Sequence, residues 1–253
     1  MRKSENVMNS CDSSYLVLSL DSFIETRLND AYHHELCTSK SVFWEMFKAE
    51  ICSQLSHFKS MDRDLEDYIL SGKFIDFERK HYCRNYFILS SEPIENTKCK
   101  ICEFDFENCN KCCTFKLKTD RHKVLGYFSI AGKSTNLINS PESQKKLSRL
   151  VKFSSHRLEF VETYLVGHLS KNFHDGYDAE LSGDSIFPRI FALIEKANKI
   201  IGINVIRVDC SDNKNLIKFY ERHGFRILPL RSKSGKKDMK GSKKLITMVR
   251  QVH

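Results

Sequence analysis

The chain has 253 residues, 41% of them hydrophobic, which is enough to fill the core of one large or two small domains. It lacks the run of about 18 apolar residues that a membrane span needs, and Tyr15 to Leu20 is too short for a secretory leader. We therefore expect a cytoplasmic protein with reduced cysteines. Lys and Arg exceed Asp and Glu by 41 to 32, a net charge of +9 that favours acidic partners such as nucleic acid.

The first half of the chain shows alternating strand and helix patterns. Its apolar spacing predicts a strand, two helical stretches with Gly72 as a weak point in the second, and two strands that pair as neighbours. In order, these elements are Tyr15 to Leu20, Ser22 to His57, Asp62 to Tyr82, Asn85 to Ser90 and Val124 to Ile130.

The second half continues the alternation. Asp184 and Ser185 are suitable N-caps for a helix with Pro188 in its first turn, and Gly224 suits a left-handed C-cap. The elements are a surface helix within Ser134 to Ser155, a strand at Arg157 to Leu169, a helix at Ile186 to Ile201, a strand at Asn204 to Cys210, a helix at Asn213 to His223, and strands at Phe225 to Leu230 and Lys244 to Val252. Interleaved helices and strands predict an α/β or α+β sheet with helices on both faces.

A cysteine-rich insertion lies between two of the predicted strands. Cys99 and Cys102 form one pair with two intervening residues, and Cys109 and Cys112 form a second. Thiolates with this spacing chelate zinc, and four of them would leave no open position, so the metal would be structural. The alternative is a reduced, cysteine-rich hairpin tip without metal.

The segment from Asp212 to Phe225 resembles the late strand-helix-strand motif of GNAT acetyltransferases. In that family an Asn opens the helix, a Phe-Tyr pair lies on its inner face and Gly-Phe leads into the next strand. The matching residues are Asn213, Phe219, Tyr220, Gly224 and Phe225.

Upstream segments are similar to a bacterial subgroup of this family that includes toxin-type enzymes. The similar segments are Asp64 to Tyr68, Gly126 to Ser129, Tyr164 to Asn172 and Leu181 to Ser185. The resemblance spans about Asp62 to Val252 and implies the GNAT fold, a mixed and mostly antiparallel sheet with a splayed central strand. We interpret 1–253 as a single domain with an N-terminal extension at 1–60, the cysteine-rich insertion at 94–121 and a basic loop at 231–244.

The resemblance implies acetyl-CoA as co-substrate. Backbone groups near the end of the central strand would bind the pantetheine arm, and the following helix N-terminus would receive the pyrophosphate. The implied contact residues are His168, Leu169, Ser170, Lys171, Asn172, Ser182, Gly183, Asp184, Ser185, Asn213 and Phe219. The chain departs from the family's glycine-rich pyrophosphate turn, because its loop has only Gly176 and Gly183 and carries several acidic residues.

The resemblance also suggests catalytic roles. Tyr220 is the implied acid that protonates the leaving sulfur, and a backbone N–H near Leu169 or Ser170 would hold the oxyanion. Glu162 is a candidate base, with His168 as another, and an enzyme of this type can also work without a dedicated base. The alternatives are a core aromatic for Tyr220, a helix N-cap for Asn213 and a solvated carboxylate for Glu162.

These observations predict an N-acetyltransferase acting on an amine of aminoacyl-tRNA, protein or a small molecule. The lysine-rich loop at 231–244 suits a polyanionic acceptor, although charge runs are usually solvated faces. A longer acyl group and a homodimer are left open, and no membrane partner is expected. The alternative function is a non-catalytic GNAT-like protein that grips nucleic acid or a protein partner through the basic loop and the cysteine cluster.

Overall fold

The computed structural model describes residues 15–21, 24, 40–91, 122–138, 140–151, 159–230 and 245–252. The four predicted zinc ligands and the basic loop lie outside these residues. The elements are β1 (Tyr15–Ser19), α1 (Lys40–Gln54), α2 (Arg63–Leu70), α3 (Lys73–Arg79), β2 (Arg84–Ser90), β3 (Val124–Asn136), α4 (Pro141–Val151), β4 (Phe160–Lys171), a 3-10 turn (His174–Gly176), α5 (Tyr177–Glu180), α6 (Gly183–Ile201), β5 (Val205–Ser211), α7 (Lys214–Arg222), β6 (Arg226–Ile227) and β7 (Leu245–Gln251).

The strands form one sheet in the order β1-β2-β3-β4-β5-β7-β6. β1 pairs with β2, and β7 pairs with both β5 and β6, in antiparallel fashion, whereas β4 and β5 are parallel. A parallel pair needs a crossover connection, and α6 supplies it. The mixed, mostly antiparallel sheet expected from the sequence is confirmed. No helix in the described part of the chain is long and apolar enough to cross a membrane.

The chain divides into two compact units. Unit 1 comprises Met1–Ser129 and His168–Ser182, and unit 2 comprises Ile130–Gly167 and Gly183–His253. The boundary falls within β3 and within β4, so each of these strands contributes residues to both units.

The core of unit 1 is built on aromatic side chains. Phe43 and Phe47 of α1, Phe74 of α3, Phe87 of β2 and Tyr127 of β3 are each at most 1% exposed. Burying a side chain of this size contributes about 1.5–3 kcal/mol. The helical stretch predicted from Asp62 to Tyr82 is divided at Gly72, whose φ of 70° falls in the left-handed region that glycine favours.

Unit 2 contains the motif that carried the resemblance. Asn213 caps α7, with its side-chain oxygen accepting hydrogen bonds from the backbone N–H groups of Asn215 and Leu216. The helix ends at Arg222, and Gly224 follows with a φ of 81°, which confirms the predicted left-handed position. A separate apolar cluster packs α4 against the sheet through Leu137, Leu147, Val205, Leu228 and Val249.

Several predicted boundaries were wrong. β3 continues to Asn136, where a helix was expected from Ser134, because buried Thr135 accepts a hydrogen bond from Arg207 and keeps this polar segment in the sheet. The strand predicted from Phe225 to Leu230 is limited to Arg226–Ile227, since Pro229 has no N–H to donate to a ladder.

The start of α6 also differs from expectation. The helix begins at Gly183, so Asp184 and Ser185 lie within its first turn instead of capping it, and Pro188 lies in the second turn. Gly183 lies close to α7: a Cβ at this position would be 3.2 Å from the Phe219 ring, a tight contact that glycine avoids.

Candidate functional site

The parallel pairing of β4 and β5 is short. It joins Tyr164 to Ile206, Leu165 to Arg207 and Val166 to Val208. β5 then runs on to Ser211 paired with β7, and within residues 159–230 the register has no further pair between β4 and β5. Separation of two parallel strands exposes facing backbone groups that an extended ligand can join as an added strand.

His168 has a left-handed backbone inside a strand. Its φ is 50°, whereas an L-residue in a β-strand ordinarily has a strongly negative φ. A left-handed residue in a strand interrupts the pleat as a β-bulge does, and such features recur next to functional sites. The residue type carries little signal for this geometry, so sequence patterns did not predict it.

The His168 ring is held by two residues of unit 1. It stacks on Tyr68, with ring centroids 4.2 Å apart and an interplanar angle of 7°, and its Nδ1 lies 3.4 Å from Ser129 Oγ. Burial lowers the pKa of His168, and the charge of Asp62 opposes that effect. The side chain still has an exposed face.

The side chains that follow His168 are engaged within unit 1. The Lys171 ammonium donates a 2.6 Å hydrogen bond to the Asp178 carbonyl, and Ser170 Oγ lies 3.1 Å from Ser60 Oγ. Buried Asn172 accepts from the Lys59 and His174 N–H groups and donates to the Val124 carbonyl. A cofactor contact in this segment would therefore use backbone groups more readily than these side chains.

The first turn of α6 is tied to the end of α7 in unit 2. Asp184 Oδ1 accepts a 2.9 Å hydrogen bond from His223 Nε2 and lies 3.5 Å from Arg222 Nη2. Arg222 and His223 therefore contact Asp184, one of the acidic residues that distinguish this loop from the family's glycine-rich pyrophosphate turn. The backbone N–H groups of a first helical turn have no intrahelical partners and attract anions.

Tyr220 lies in an aromatic cluster of unit 2. Its ring centroid is 5.8 Å from that of Phe187, 5.5 Å from that of Phe219 and 5.7 Å from that of Phe225, and the residue is 7% exposed. Burial, and secondly the Cys210 thiol, raise the pKa of Tyr220. No described residue is a hydrogen-bond partner of its hydroxyl.

The two alternatives drawn from sequence are both visible in α7. Asn213 is an N-cap that uses its Oδ1 for the helix, and Tyr220 packs as an aromatic of the core. Neither observation tests the predicted contact with a cofactor. Glu162, the candidate base on β4, is exposed, and its role also stays a prediction.

Sequence reasoning missed a charge pair on β5, in which Arg207 is buried and Asp209 is half-buried. Arg207 donates from Nε and Nη2 to the Asp209 carboxylate, both at 2.9 Å, and from Nη1 to Thr135 Oγ1. Although burial by itself raises the pKa of Asp209, the hydrogen bond and charge of Arg207 lower it overall. An Arg and an Asp two residues apart on a central strand were the available signal, because they share one face.

The described residues contain no cluster of three or more His, Cys, Asp or Glu side chains that could hold a metal ion. The predicted ligands Cys99, Cys102, Cys109 and Cys112 lie outside them, so the zinc prediction stays a prediction.

No protein-family model and no curated protein sequence matches the chain. Among solved structures, the chain is similar to a mutant of the toxin AtaT bound to the C-terminus of the antitoxin AtaR and acetyl-CoA, with a TM-score of 0.46 and 13% identity over 78% of this chain and 85% of that one. AtaT complexed with acetyl-methionyl-tRNAfMet gives a TM-score of 0.44 and 17% identity, covering 76% and 85%. A mutant of KacT gives a TM-score of 0.45 and 15% identity, covering 76% and 85%.

Proposed function

We propose that this protein is an N-acetyltransferase that moves the acetyl group of acetyl-CoA to a primary amine. The short β4–β5 ladder, which ends at Val166 and Val208 although β5 continues, carries the proposal. A parallel strand pair with a crossover helix has the helix N-terminus near the carboxyl ends of its strands, where ligands of open α/β sheets bind. The motif of α7 adds the residue types that this chemistry needs.

The first turn of α6 is the proposed pyrophosphate site. The backbone N–H groups of Gly183, Asp184 and Ser185 would bind the phosphates, and the helix dipole favours negative charge there. His223 and Arg222 flank the Asp184 carboxylate, which reduces the repulsion that this side chain would otherwise exert. This arrangement supports phosphate binding without a glycine-rich turn.

The end of β4 is the proposed binding segment for the pantetheine arm. We assign its backbone, from His168 to Lys171, to the pantetheine amides, with the N–H of Leu169 or Ser170 as oxyanion donor. The side chains of Lys171 and Asn172 have protein partners, so we leave them out of the proposed contacts.

Tyr220 is the proposed general acid. Acetyl-CoA supplies an electrophilic thioester carbon, and the sulfur that leaves needs a proton. A tyrosine is protonated at neutral pH, and burial, which raises the pKa of Tyr220, favours this form further. Its hydroxyl has no partner among the described residues. A neutral phenol that is not bound elsewhere is a suitable proton donor.

The proposed acceptor is an amine carried by a polyanion, and aminoacyl-tRNA belongs to this class. The net charge of +9 and the seven Lys and Arg residues between 231 and 244 support a polyanionic acceptor. Incubating a cell extract with the protein and labelled acetyl-CoA, followed by mass spectrometry, would identify both the acceptor and the acyl preference. Label on protein amines but not on RNA would contradict the polyanion assignment.

Cofactor binding is tested by thermal unfolding with acetyl-CoA. A ligand at 100 times its Kd stabilises the folded state by about 2.7 kcal/mol, so the melting temperature should rise. Gly183→Val should abolish the rise, because its side chain would press on Phe219 and displace the first turn of α6. Gly132→Val is the matched control, since a Cβ there has no neighbour within 4 Å.

Each variant is first melted without ligand to establish that it folds. If millimolar acetyl-CoA leaves the melting temperature of the unmodified protein unchanged, and no CoA copurifies, the acetyltransferase proposal fails. The non-catalytic binding protein would then be the better interpretation.

A further inference from the structure

The imidazole of His168 is held by side-chain contacts to Tyr68 and Ser129 that its proposed backbone role does not require. We propose that His168 is the general base that removes a proton from the acceptor amine. This inference rests on the proposed acetyltransferase function and supplies the base that sequence patterns left undecided.

The backbone at His168 is the first observation. A φ of 50° within a strand is a strained conformation for an L-residue, and such strain persists only where the surrounding structure holds it. The left-handed position turns the side chain away from the alternation of a regular strand. His81 has a similar φ of 57°, but it lies in the turn after α3, where left-handed residues are ordinary.

The ring contacts are the second observation. Tyr68 covers one face of the imidazole and is itself 6% exposed, with its hydroxyl 3.8 Å from Cys83 Sγ. Nδ1 faces Ser129 Oγ, which lies on β3 in a residue that is 4% exposed. The ring is therefore held by two buried side chains from different elements.

The proposal assigns the reacting lone pair to Nε2. The 3.4 Å contact between Nδ1 and Ser129 Oγ is compatible with Nδ1–H as the donor, and in that tautomer the lone pair of neutral histidine is on Nε2. Nε2 has no hydrogen-bond partner among the described residues, and the side chain is exposed. A general base needs one held nitrogen and one that a substrate proton can reach.

The surroundings also favour the neutral form. Among the described residues, Tyr68 on α2 and Ser129 on β3 contact the ring, and the carboxyl group of Asp62 before α2 acts on its charge. Burial lowers the pKa of His168 despite Asp62, so the ring is neutral and ready to accept a proton at pH 7.

The proposed reaction transfers the acetyl group in one sequence of proton transfer, attack and thiol release. Nε2 takes one proton from the ammonium form of the acceptor, and the freed amine forms a nitrogen–carbon bond to the thioester carbonyl. As the carbon–sulfur bond breaks, the sulfur takes a proton from the general acid, which recovers one from the nitrogen through water. The imidazolium then releases its proton to solvent, so the products are an acetamide, CoA thiol and one proton.

The test compares His168→Asn with His81→Asn. Asn tolerates the left-handed region, so both variants keep their backbone, and only the first removes the proposed base. Initial rates are measured from pH 5 to 9 with labelled acetyl-CoA and three amine probes: spermidine, poly-L-lysine and bulk aminoacyl-tRNA. NMR titration of the His168 ring in the acetyl-CoA complex without acceptor, assigned by its loss in His168→Asn, provides a readout independent of turnover.

We expect His168→Asn to lower kcat/KM at least about 100-fold, with the thermal shift by acetyl-CoA unchanged. The neutral base is required, so wild-type kcat/KM should fall as pH drops through the lowered pKa of His168, and this acidic limb should vanish in the variant. His168→Gly should regain activity with added imidazole. His81→Asn should match the wild type.

The inference is overturned if His168→Asn keeps more than half of the activity, if its acidic limb is unchanged, or if the His168 ring titrates above about 6.5, the ordinary value. Failed rescue also overturns the inference. This is the case if the wild type acetylates a probe and His168→Gly stays inactive on the same probe when imidazole is added. If the wild type does not bind acetyl-CoA, the proposed acetyltransferase function itself is wrong. The two failures are therefore distinguishable.

Discussion

Each unit contains a carboxyl group with a shifted pKa, Glu78 in unit 1 and the half-buried Asp209 in unit 2, and the two pKa values move in opposite directions. In unit 1, Glu78 is 2% exposed and accepts hydrogen bonds from the N–H and Nδ2 of Asn85, at 2.7 and 2.6 Å, and from Arg84. In unit 2, Asp209 accepts two hydrogen bonds from Arg207 and one from Thr247. Burial raises the pKa of Glu78, whereas Arg207 lowers that of Asp209 against the effect of burial.

The two carboxyl groups differ in their own burial and in their cations. The Asp209 side chain is 17% exposed and also lies 3.5 Å from Lys133 Nζ, whereas the Glu78 side chain is 1% exposed. The Arg207 side chain is 9% exposed and shares the low dielectric of Asp209, whereas the Arg84 side chain is 42% exposed and is screened by water. Arg207 favours the charged form of Asp209, whereas burial of Glu78 favours the neutral form against the hydrogen bonds that this carboxyl accepts. Buried polar groups with similar numbers of hydrogen bonds can therefore respond oppositely to pH.

Removing the charge of Asp209 in unit 2 should have the largest effect on stability. Asp209→Asn leaves Arg207 buried without its counter-charge, which should lower the free energy of unfolding by about 3–5 kcal/mol. Urea unfolding at pH 7 measures this change. Exposed Glu221→Gln is the control and should stay within about 0.5 kcal/mol. A similar loss of unfolding free energy in both variants would show that the Arg207–Asp209 pair contributes no more to stability than an exposed carboxylate.

The two units also differ in the hydrogen bonding of a buried tyrosine, and this difference is testable by activity. Tyr127 of unit 1 donates its hydroxyl to Asn85, while the hydroxyl of Tyr220 has no described partner. Tyr220→Phe should lower kcat about 100-fold, or about 2.7 kcal/mol in the barrier, because the leaving sulfur loses its proton donor. Tyr164→Phe, which removes a buried hydroxyl without a partner, should keep the wild-type kcat.

Steady-state rates together with the thermal shift by acetyl-CoA separate catalysis from binding. Equal loss of turnover and of acetyl-CoA binding in Tyr220→Phe would show that the hydroxyl holds the cofactor or the core and is not the acid.

Neutralising the unit 1 carboxyl should have a smaller effect. Glu78→Gln retains an acceptor oxygen and loses the charge, so at pH 7 we expect a change in unfolding free energy of about 1 kcal/mol. The sign of the pH dependence is more informative. A raised folded pKa stabilises the protein below the unfolded value, and this stabilisation is lost as pH rises through the folded pKa.

Urea midpoints measured from pH 4 to 8 should show this loss in the wild type and not in Glu78→Gln. The depressed pKa of Asp209 acts in the opposite sense, since its stabilisation is present above the ordinary value and is lost as pH falls through the folded pKa. Parallel profiles for wild type and Glu78→Gln would contradict the assignment to Glu78.

The smallest expected effect concerns Lys171 in unit 1. Its ammonium binds the Asp178 carbonyl, so Lys171→Met should change the Kd of acetyl-CoA less than about threefold, or under about 0.7 kcal/mol. Isothermal titration measures the constant, with Lys123→Met as the control for loss of a positive charge in the same unit. A tenfold weakening specific to Lys171 would place its ammonium on the phosphates.

Local sequence rules predicted the features that local physics determines. Asn213 as N-cap, Gly224 in the left-handed region and the break at Gly72 each depend on a few neighbouring residues, and all three are confirmed. The start of α6 was predicted wrongly: the helix begins at Gly183, before Asp184 and Ser185, and this position packs closely against Phe219, a residue 36 positions along the chain.

In the candidate site, too, features set by neighbouring residues were predicted and features set by distant contacts were not. The sequence placed Tyr220 on a helix and His168 and Leu169 on a strand, and both placements are confirmed; the strand continues to Lys171, two residues beyond its predicted end. The strain at His168, and the internal hydrogen bonds of Lys171 and Asn172, involve partners up to 113 residues away along the chain. No short-range pattern encodes such partners.

The sequence by itself determined the alternation of helices and strands, the caps of α7 and the residue types suited to acyl transfer, since periodicity and capping act over a few residues. Only the tertiary structure decided where the β4–β5 ladder ends, which charges are buried and which way their pKa values move. These depend on solvent exclusion and on contacts between distant segments, because the free energy of a charge is set by everything that surrounds it in three dimensions.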